Sequence, residues 1–121
     1  MILDSNILIG YLNGDKKIVS ALQTWRDAGA LLFVSSVSAI EALSLSTLTQ
    51  TDAREIERFL DDFIIIPVDM RIVSMAGELR RAYRLEVPDA AIAATAAVNN
   101  LSLVTRDKKL RSIPGITHTD I

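Results

Sequence analysis

Short apolar runs, set apart by stretches of helical periodicity, constrain this chain more than any other feature of its sequence. They fall at residues 1–3, 31–34, 63–66, 101–104 and, more weakly, 116–118. Runs this short and this uniformly apolar suit strands buried on both faces, not strands with one face in water. Between Asp69 and Arg84 the residues Ile72, Val73, Met75, Ala76, Leu79 and Ala82 recur at three- and four-residue steps, which predicts a helix with one buried face. From Pro88 to Asn99 the chain is made of small apolar residues almost all round, which predicts a buried, closely packed helix. Strands that alternate with helical crossovers form a parallel sheet covered on both sides. The expected fold is a three-layer α/β/α domain around a central parallel sheet of about five strands. A chain of 121 residues suits one domain spanning residues 1–121, because that length buries a core without disulfides or zinc.

Composition removes several kinds of chemistry. There is no cysteine, so a thiol nucleophile, a thiolate metal site and a disulfide framework are all excluded. The single histidine, His118, cannot build a histidine-rich zinc site. Any metal must be held by oxygen ligands, which favours Mg²⁺ or Mn²⁺. Half the residues are hydrophobic, yet no run approaches the roughly 18 to 20 apolar residues of a membrane span. The acidic start, Met-Ile-Leu-Asp, is unlike a secretory signal, and the expected location is cytoplasmic. The net charge of −2 argues against coating nucleic acid through charge alone. The last third is nevertheless locally basic, with Arg80, Arg81, Arg84, Arg106, Lys108, Lys109 and Arg111 against Glu86, Asp89 and Asp107. An ordinary solvated face accounts for that stretch equally well.

Four carboxylates stand where the expected sheet would gather them. Asp4 directly follows the first strand, Glu41 lies one turn into the helix after the second, and Asp107 follows the fourth. Asp89 begins a helix that must feed the fourth strand from the opposite edge, so it starts on the same side as the others. In open α/β sheets that carboxyl edge is where ligands bind. Each acid also has an ordinary structural explanation. Asp4 can cap its helix, Ser38-Ala-Ile-Glu41 reads as a capping box, Asp89 beside Pro88 suits a first helical turn, and Asp107 suits a turn. Jointly, four close carboxylates repel one another unless a cation neutralises them, which points to bound Mg²⁺ or Mn²⁺. Phosphodiester hydrolysis is the chemistry that a hard cation among oxygen ligands serves best.

The same residues resemble a known family. Ile2-Leu3-Asp4-Ser5-Asn6-Ile7-Leu8 is similar to the opening "LDTN" motif of PIN domains, and Val34-Ser-Ser-Val-Ser-Ala-Ile-Glu41 to their second acidic segment. Pro88-Asp-Ala-Ala-Ile-Ala-Ala-Thr-Ala96 followed by Leu103-Val-Thr-Arg-Asp107 resembles the signature of VapC-type toxins. The resemblance covers essentially the whole chain and departs from the family mildly, with Ser5 where threonine is common and a very short first strand. It implies a metal-dependent ribonuclease with Asp4, Glu41, Asp89 and Asp107 as its catalytic and metal-binding acids, Asp4 and Asp89 central. Ser5, Asn6 and Thr105 match polar positions that support the ligands or the substrate phosphate, and helix-start or turn hydrogen bonding explains them equally well. Arg106 is placed with them as a substrate-binding candidate. The resemblance further implies an RNA substrate, a homodimer and a small antitoxin partner. Leu8, Tyr11, Leu12, Leu43, Leu45 and Leu48 would line a groove for that partner's amphipathic segment, unless they belong to the core. Trp25 is expected to pack against the sheet.

Three other functions fit parts of the pattern. A housekeeping PIN ribonuclease in RNA processing or decay would use the same site without a toxin role. A non-catalytic PIN-like scaffold would have little reason to keep four buried like charges. Phosphotransfer on an aspartyl nucleophile at Asp4 would need a nearby lysine, for which Lys108 and Lys109 are the candidates.

Overall fold

The two residues Ile2 and Leu3 are fully buried and point to opposite faces of a sheet, which divides the molecule into layers. The structure, a computed structural model, describes residues 1–121. Four strands, β1 (Ile2–Leu3), β2 (Phe33–Ser35), β3 (Ile64–Ile66) and β4 (Leu103–Val104), pair in parallel in the order β3-β2-β1-β4. The helices are α1 (Ser5–Leu12), α2 (Lys16–Asp27), α3 (Ser36–Ala42), α4 (Gln50–Leu60), α5 (Met70–Tyr83), α6 (Val87–Val98) and α7 (Lys108–Arg111).

The period-two alternation of strand side chains assigns the core. Leu3, Val34 and Val104 join Ile7 and Leu8 of α1, Ile18 and Leu22 of α2 and Ile56 and Leu60 of α4 on one face. Ile2 and Leu103 join Ala90, Ile92, Ala93 and Ala96 of α6 and Leu110 of α7 on the other. The α/β/α sandwich is therefore the expected one. Alanine has the best helix propensity and the smallest side chain with a Cβ, so α6 stays helical while lying close against the sheet and α5. On the opposite side α1 and α2 meet at Gly10, where a Cβ would stand 2.4 Å from Cδ1 of the buried Ile18.

Two expectations need correction. The sheet has four strands, not five: the segment at residues 116–118 contributes an isolated parallel bridge between Leu103 and His118 and does not extend into a strand. Pro114 and Gly115 form the turn immediately before it. The other departure is burial. Ile64 and Ile65 of β3 are 45% and 40% exposed, because β3 is the sheet's edge and lacks a neighbour on one side. The apolar face of α5 is likewise narrower than its periodicity suggests, with Ile72 buried, Met75, Ala76 and Leu79 half-buried, and Val73 and Ala82 exposed. No helix is long and apolar enough to cross a membrane.

Candidate active site

The sheet order makes β1 the strand from which the chain departs in both directions: β2 and β3 lie on one side of it and β4 on the other. The crevice at such a switch point, outside the carboxyl ends of the strands, is where open α/β sheets bind ligands. Asp4 leaves β1 there and Thr105, Arg106 and Asp107 leave β4 beside it. Glu41 arrives on α3 and Asp89 on the first turn of α6.

Asp4 is 4% exposed and has both carboxylate oxygens engaged. Oδ1 accepts from the Ser5 backbone N–H at 2.7 Å, which caps α1, and Oδ2 accepts from the buried Thr105 hydroxyl at 2.6 Å. That hydroxyl in turn accepts from the Asn6 side-chain amide at 3.2 Å and from the Asp107 N–H at 3.0 Å. Asn6 also accepts from the Arg106 N–H at 3.4 Å. The loop after β4 is thus laced to the start of α1 through Thr105, and Asp4 and Asp107 are held on two sides of one hydroxyl.

Burial pushes the Asp4 carboxyl above its ordinary pKa, against the lowering effect of the Thr105 and Ser5 hydrogen bonds, and the charge of Asp107 raises it further. Glu41 is raised by burial, offset in part by the Ser5 hydroxyl, with Asp4 and Asp89 adding repulsion. Asp89 is raised by burial, then by Asp107, Asp4 and Glu86, while Lys109 pulls the other way. Each of the four acids from the sequence therefore lies within electrostatic reach of at least one other. No three of them meet at the spacing of a closed metal-ligand set. They form an open rim, not a cage.

The ordinary explanations hold for some of these residues and fail for others. Asp4 and Asp107 do cap α1 and α7, the latter by accepting from the Lys109 N–H at 2.8 Å. The capping box at Ser38 and Glu41 does not form: α3 begins a turn earlier and is capped by Ser35, which accepts from the Val37 N–H. Glu41 caps no helix; the Ser5 hydroxyl lowers its pKa, yet its Oε1 is buried without a hydrogen-bond partner. A buried carboxylate oxygen with no donor beside other acids is costly unless a cation reaches it. The donors are all oxygen, the chemistry that a hard divalent ion takes.

Arg106 does not face the acids. Its guanidinium grips Asp15 at 2.6 and 3.3 Å, and Asp15 also caps α2. The pair fastens the β4 loop to the α1–α2 turn and gives Arg106 a carboxylate partner. Two residues that sequence reasoning left out of the site are close to it. Glu86 is the N-cap position of α6 without a side-chain cap bond and raises Asp89. Lys109 donates to the Arg84 carbonyl at 3.0 Å and lowers Asp89. Their spacings, three residues before Asp89 and two after Asp107, were the available signals. Of the two lysines that the aspartyl phosphotransfer alternative would need, Lys109 is tied to the Arg84 carbonyl and lowers Asp89, and neither it nor Lys108 is among the groups that shift Asp4.

The six residues expected to line a partner groove divide between core and surface. Leu8 is fully buried, Leu43 packs on the core, and Tyr11 stacks on Phe59 with ring centroids 4.7 Å apart. Leu12 and Leu45 are exposed and, with Leu48, which also packs on the core, line a cleft of about 210 Å³ with Ile9, Ile56, Asp52 and Glu55. Trp25, on α2, packs against the core cluster that includes the sheet residues Leu3, Val34 and Val104.

An α/β/α fold with an acidic rim at the switch point of a four-stranded parallel sheet defines a class of proteins, and comparison specifies it. The PIN domain family model matches residues 1–116, and the chain belongs to that family. It is similar to a chain of a toxin-antitoxin complex from Klebsiella pneumoniae, 30% identical, with TM-score 0.83, covering 99% of this chain and 98% of that one. Its fold is shared by VapBC2 from Rickettsia felis bound to a promoter DNA fragment, at 22% identity and TM-score 0.85, covering 99% and 97%. VapBC-1 from nontypeable Haemophilus influenzae shares it too, at 20% identity and TM-score 0.82, covering 98% and 96%. No curated protein matches the chain.

Proposed function

We propose that this chain is a divalent-metal-dependent endoribonuclease and the VapC-type toxin of a toxin–antitoxin pair. The observation that carries the reading is the buried, unpartnered Oε1 of Glu41 beside Asp4 and Asp89, carboxylates that raise its pKa and that Asp107 raises in turn. Such a rim opposes folding unless it serves a cation, and an all-oxygen donor set suits Mg²⁺ or Mn²⁺. In this reading Asp4, Asp89 and Asp107 hold the ion or ions, and Glu41 is a further ligand or the residue that orients the attacking water. Bound there, the ion supplies charge neutralisation at the phosphoryl oxygens and a water of lowered pKa.

The chain's own residues do the rest. Ser5 and Thr105 fix both oxygens of Asp4, so that carboxylate is oriented before any ligand arrives. Asn6 and Thr105 hold the β4 loop so that Asp107 stays beside Asp4. The substrate is taken to be single-stranded or loop RNA, because an unpaired strand can bend a phosphate down to an acid as deeply set as Asp4.

The toxin assignment draws on the likeness to the Klebsiella pneumoniae toxin-antitoxin complex. In that reading the apolar cleft of Leu12, Leu45 and Leu48 receives an amphipathic segment of the antitoxin, with Asp52 and Glu55 meeting its basic residues. The protein works in the cytoplasm as a homodimer, for which the exposed Ile64 and Ile65 of β3, with Met70 and Val73 of α5, offer apolar surface. The test incubates purified protein with structured and single-stranded RNAs in Mg²⁺, Mn²⁺ or EDTA, beside an Asp4→Asn variant of verified fold. Metal-dependent cleavage that the variant loses supports the reading, and identical lanes for both proteins sink it.

A further inference from the structure

Three of the thirteen lysines and arginines have carboxylate partners within 4.0 Å: Arg26 pairs with Asp62, Arg106 with Asp15 and Arg111 with Asp120. Among the rest, two groups far apart in sequence meet in space. Arg80 and Arg81 in the last turn of α5 and Arg84 at its left-handed cap are brought against α7, where the Lys109 ammonium donates to the Arg84 carbonyl. Lys108 stands next to it on the same short helix. All five side chains are on the exposed surface, and none has an anionic partner.

Local structure accounts for two of the five. Arg80 donates from Nε to the Leu85 carbonyl at 2.9 Å and Lys109 closes the Arg84 carbonyl, so both satisfy the free end of α5. Arg81, Arg84 and Lys108 make no side-chain hydrogen bond or ion pair. Like charges gathered in this way repel, and a polyanion relieves that repulsion. The ridge is also one-sided: it borders Asp89, whereas Arg106, the cation near the Asp4 and Asp107 side, is neutralised by Asp15.

We infer that the ridge formed by the end of α5 and by α7 is the track along which the phosphate backbone of a single-stranded RNA enters the acidic rim. This rests on the ribonuclease reading for its occupant. A rigid DNA duplex would contact the ridge but could not follow it down to Asp4, which is 4% exposed. The strand therefore lies across the α5–α6 turn and reaches the acids from the side of Asp89.

The test is a triple variant, Arg81→Gln, Arg84→Asn and Lys108→Gln. Asparagine is chosen at position 84 because the backbone there has φ 53°, a conformation asparagine tolerates. A control triple variant, Lys17→Gln, Arg54→Gln and Arg71→Gln, removes the same charge from exposed sites elsewhere. Binding of a fluorescent single-stranded RNA and of a DNA duplex is measured by anisotropy in EDTA across a salt series, with circular dichroism verifying each fold. The ridge variant is expected to bind the RNA about 30- to 100-fold more weakly than wild type near 0.1 M salt. The slope of log K against log salt should be shallower by about 2, and the control should lose far less. Equal losses in both variants, an unchanged ridge variant, absence of RNA binding by the wild type, or tighter binding of the duplex would each overturn the track. The ribonuclease reading is judged separately, by cleavage in Mg²⁺ or Mn²⁺: a wild type that cleaves while the ridge variant binds normally removes only the track.

Discussion

Replacing Thr105 by valine isolates the hydroxyl on which the site is hung. The two side chains have nearly the same shape, so packing around this buried position is kept while three hydrogen bonds are lost. The bond to Asp4 is short, buried and charge-assisted, and its removal leaves a desolvated carboxylate oxygen without a donor. That contact is worth about 1.5 to 3 kcal/mol, and the weaker contacts from Asn6 and Asp107, nearer to water, add about 0.5 to 1 kcal/mol between them. The expected loss is about 2 to 4 kcal/mol. For a domain of this length about 1 kcal/mol corresponds to about 4 °C, so the melting temperature should fall by about 8 to 16 °C. Thr105→Ser keeps the hydroxyl, loses a methyl group, and should cost about 1 kcal/mol. The penalty of the valine variant should shrink at acid pH, because Asp4, raised by burial, takes up its proton and no longer needs a donor to its charge. Thermal unfolding by circular dichroism in EDTA, at neutral and mildly acid pH, measures all of this. A valine variant that melts within about 4 °C of wild type, or a serine variant as unstable as the valine one, refutes the assignment of Thr105 as the support of Asp4.

Asp4, Glu41 and Asp89 are all raised in the folded state, with burial the largest cause for each. An acid whose pKa rises on folding favours the folded state most when protonated. In EDTA, stability contributed by these three should therefore grow as pH falls from neutral toward the ordinary carboxylate range, and be lost as pH rises through the raised values. Mg²⁺ should act in the opposite sense, stabilising more at about pH 8 than at about pH 5.5, because it binds the deprotonated acids. Equal stabilisation at the two pH values would contradict a carboxylate site. At the apolar cleft, Leu12 and Leu45 are 39% and 45% exposed, so Leu12→Asp with Leu45→Asp should shift unfolding by less than about 1 kcal/mol. The same double variant should fail to bind a co-expressed antitoxin that wild type retains on affinity purification. Retention by both proteins would place the partner elsewhere.

Much of the fold was legible in the sequence because the apolar runs carry it. β1, β3 and β4 fall inside apolar runs, β2 overruns its own by one residue, Ser35, and α6 spans nearly the stretch of small residues that predicts it. The fifth strand failed because three residues after Pro114 and Gly115 offer weak pattern and no length. The exposure of Ile64 and Ile65 was hidden for a different reason: an edge strand and a central strand can have the same composition, and only the strand order distinguishes them.

The sequence by itself determined which chemistry was possible, since the absence of cysteine and the lone histidine leave oxygen ligands, and where each acid stands relative to its own strand or helix. Those are local properties, fixed by residue type and by neighbours in the chain. What each side chain does was decided by tertiary structure. Arg106 and Asp15 are ninety-one residues apart and neutralise each other, while Lys109 meets the Arg84 carbonyl twenty-five residues away and joins two basic segments into one ridge. Ser35, not Ser38, caps α3, and so Glu41 keeps a buried oxygen free. A charge or hydroxyl can be satisfied by any complementary group that folding brings within hydrogen-bond reach, and a one-dimensional pattern does not record which group arrives first.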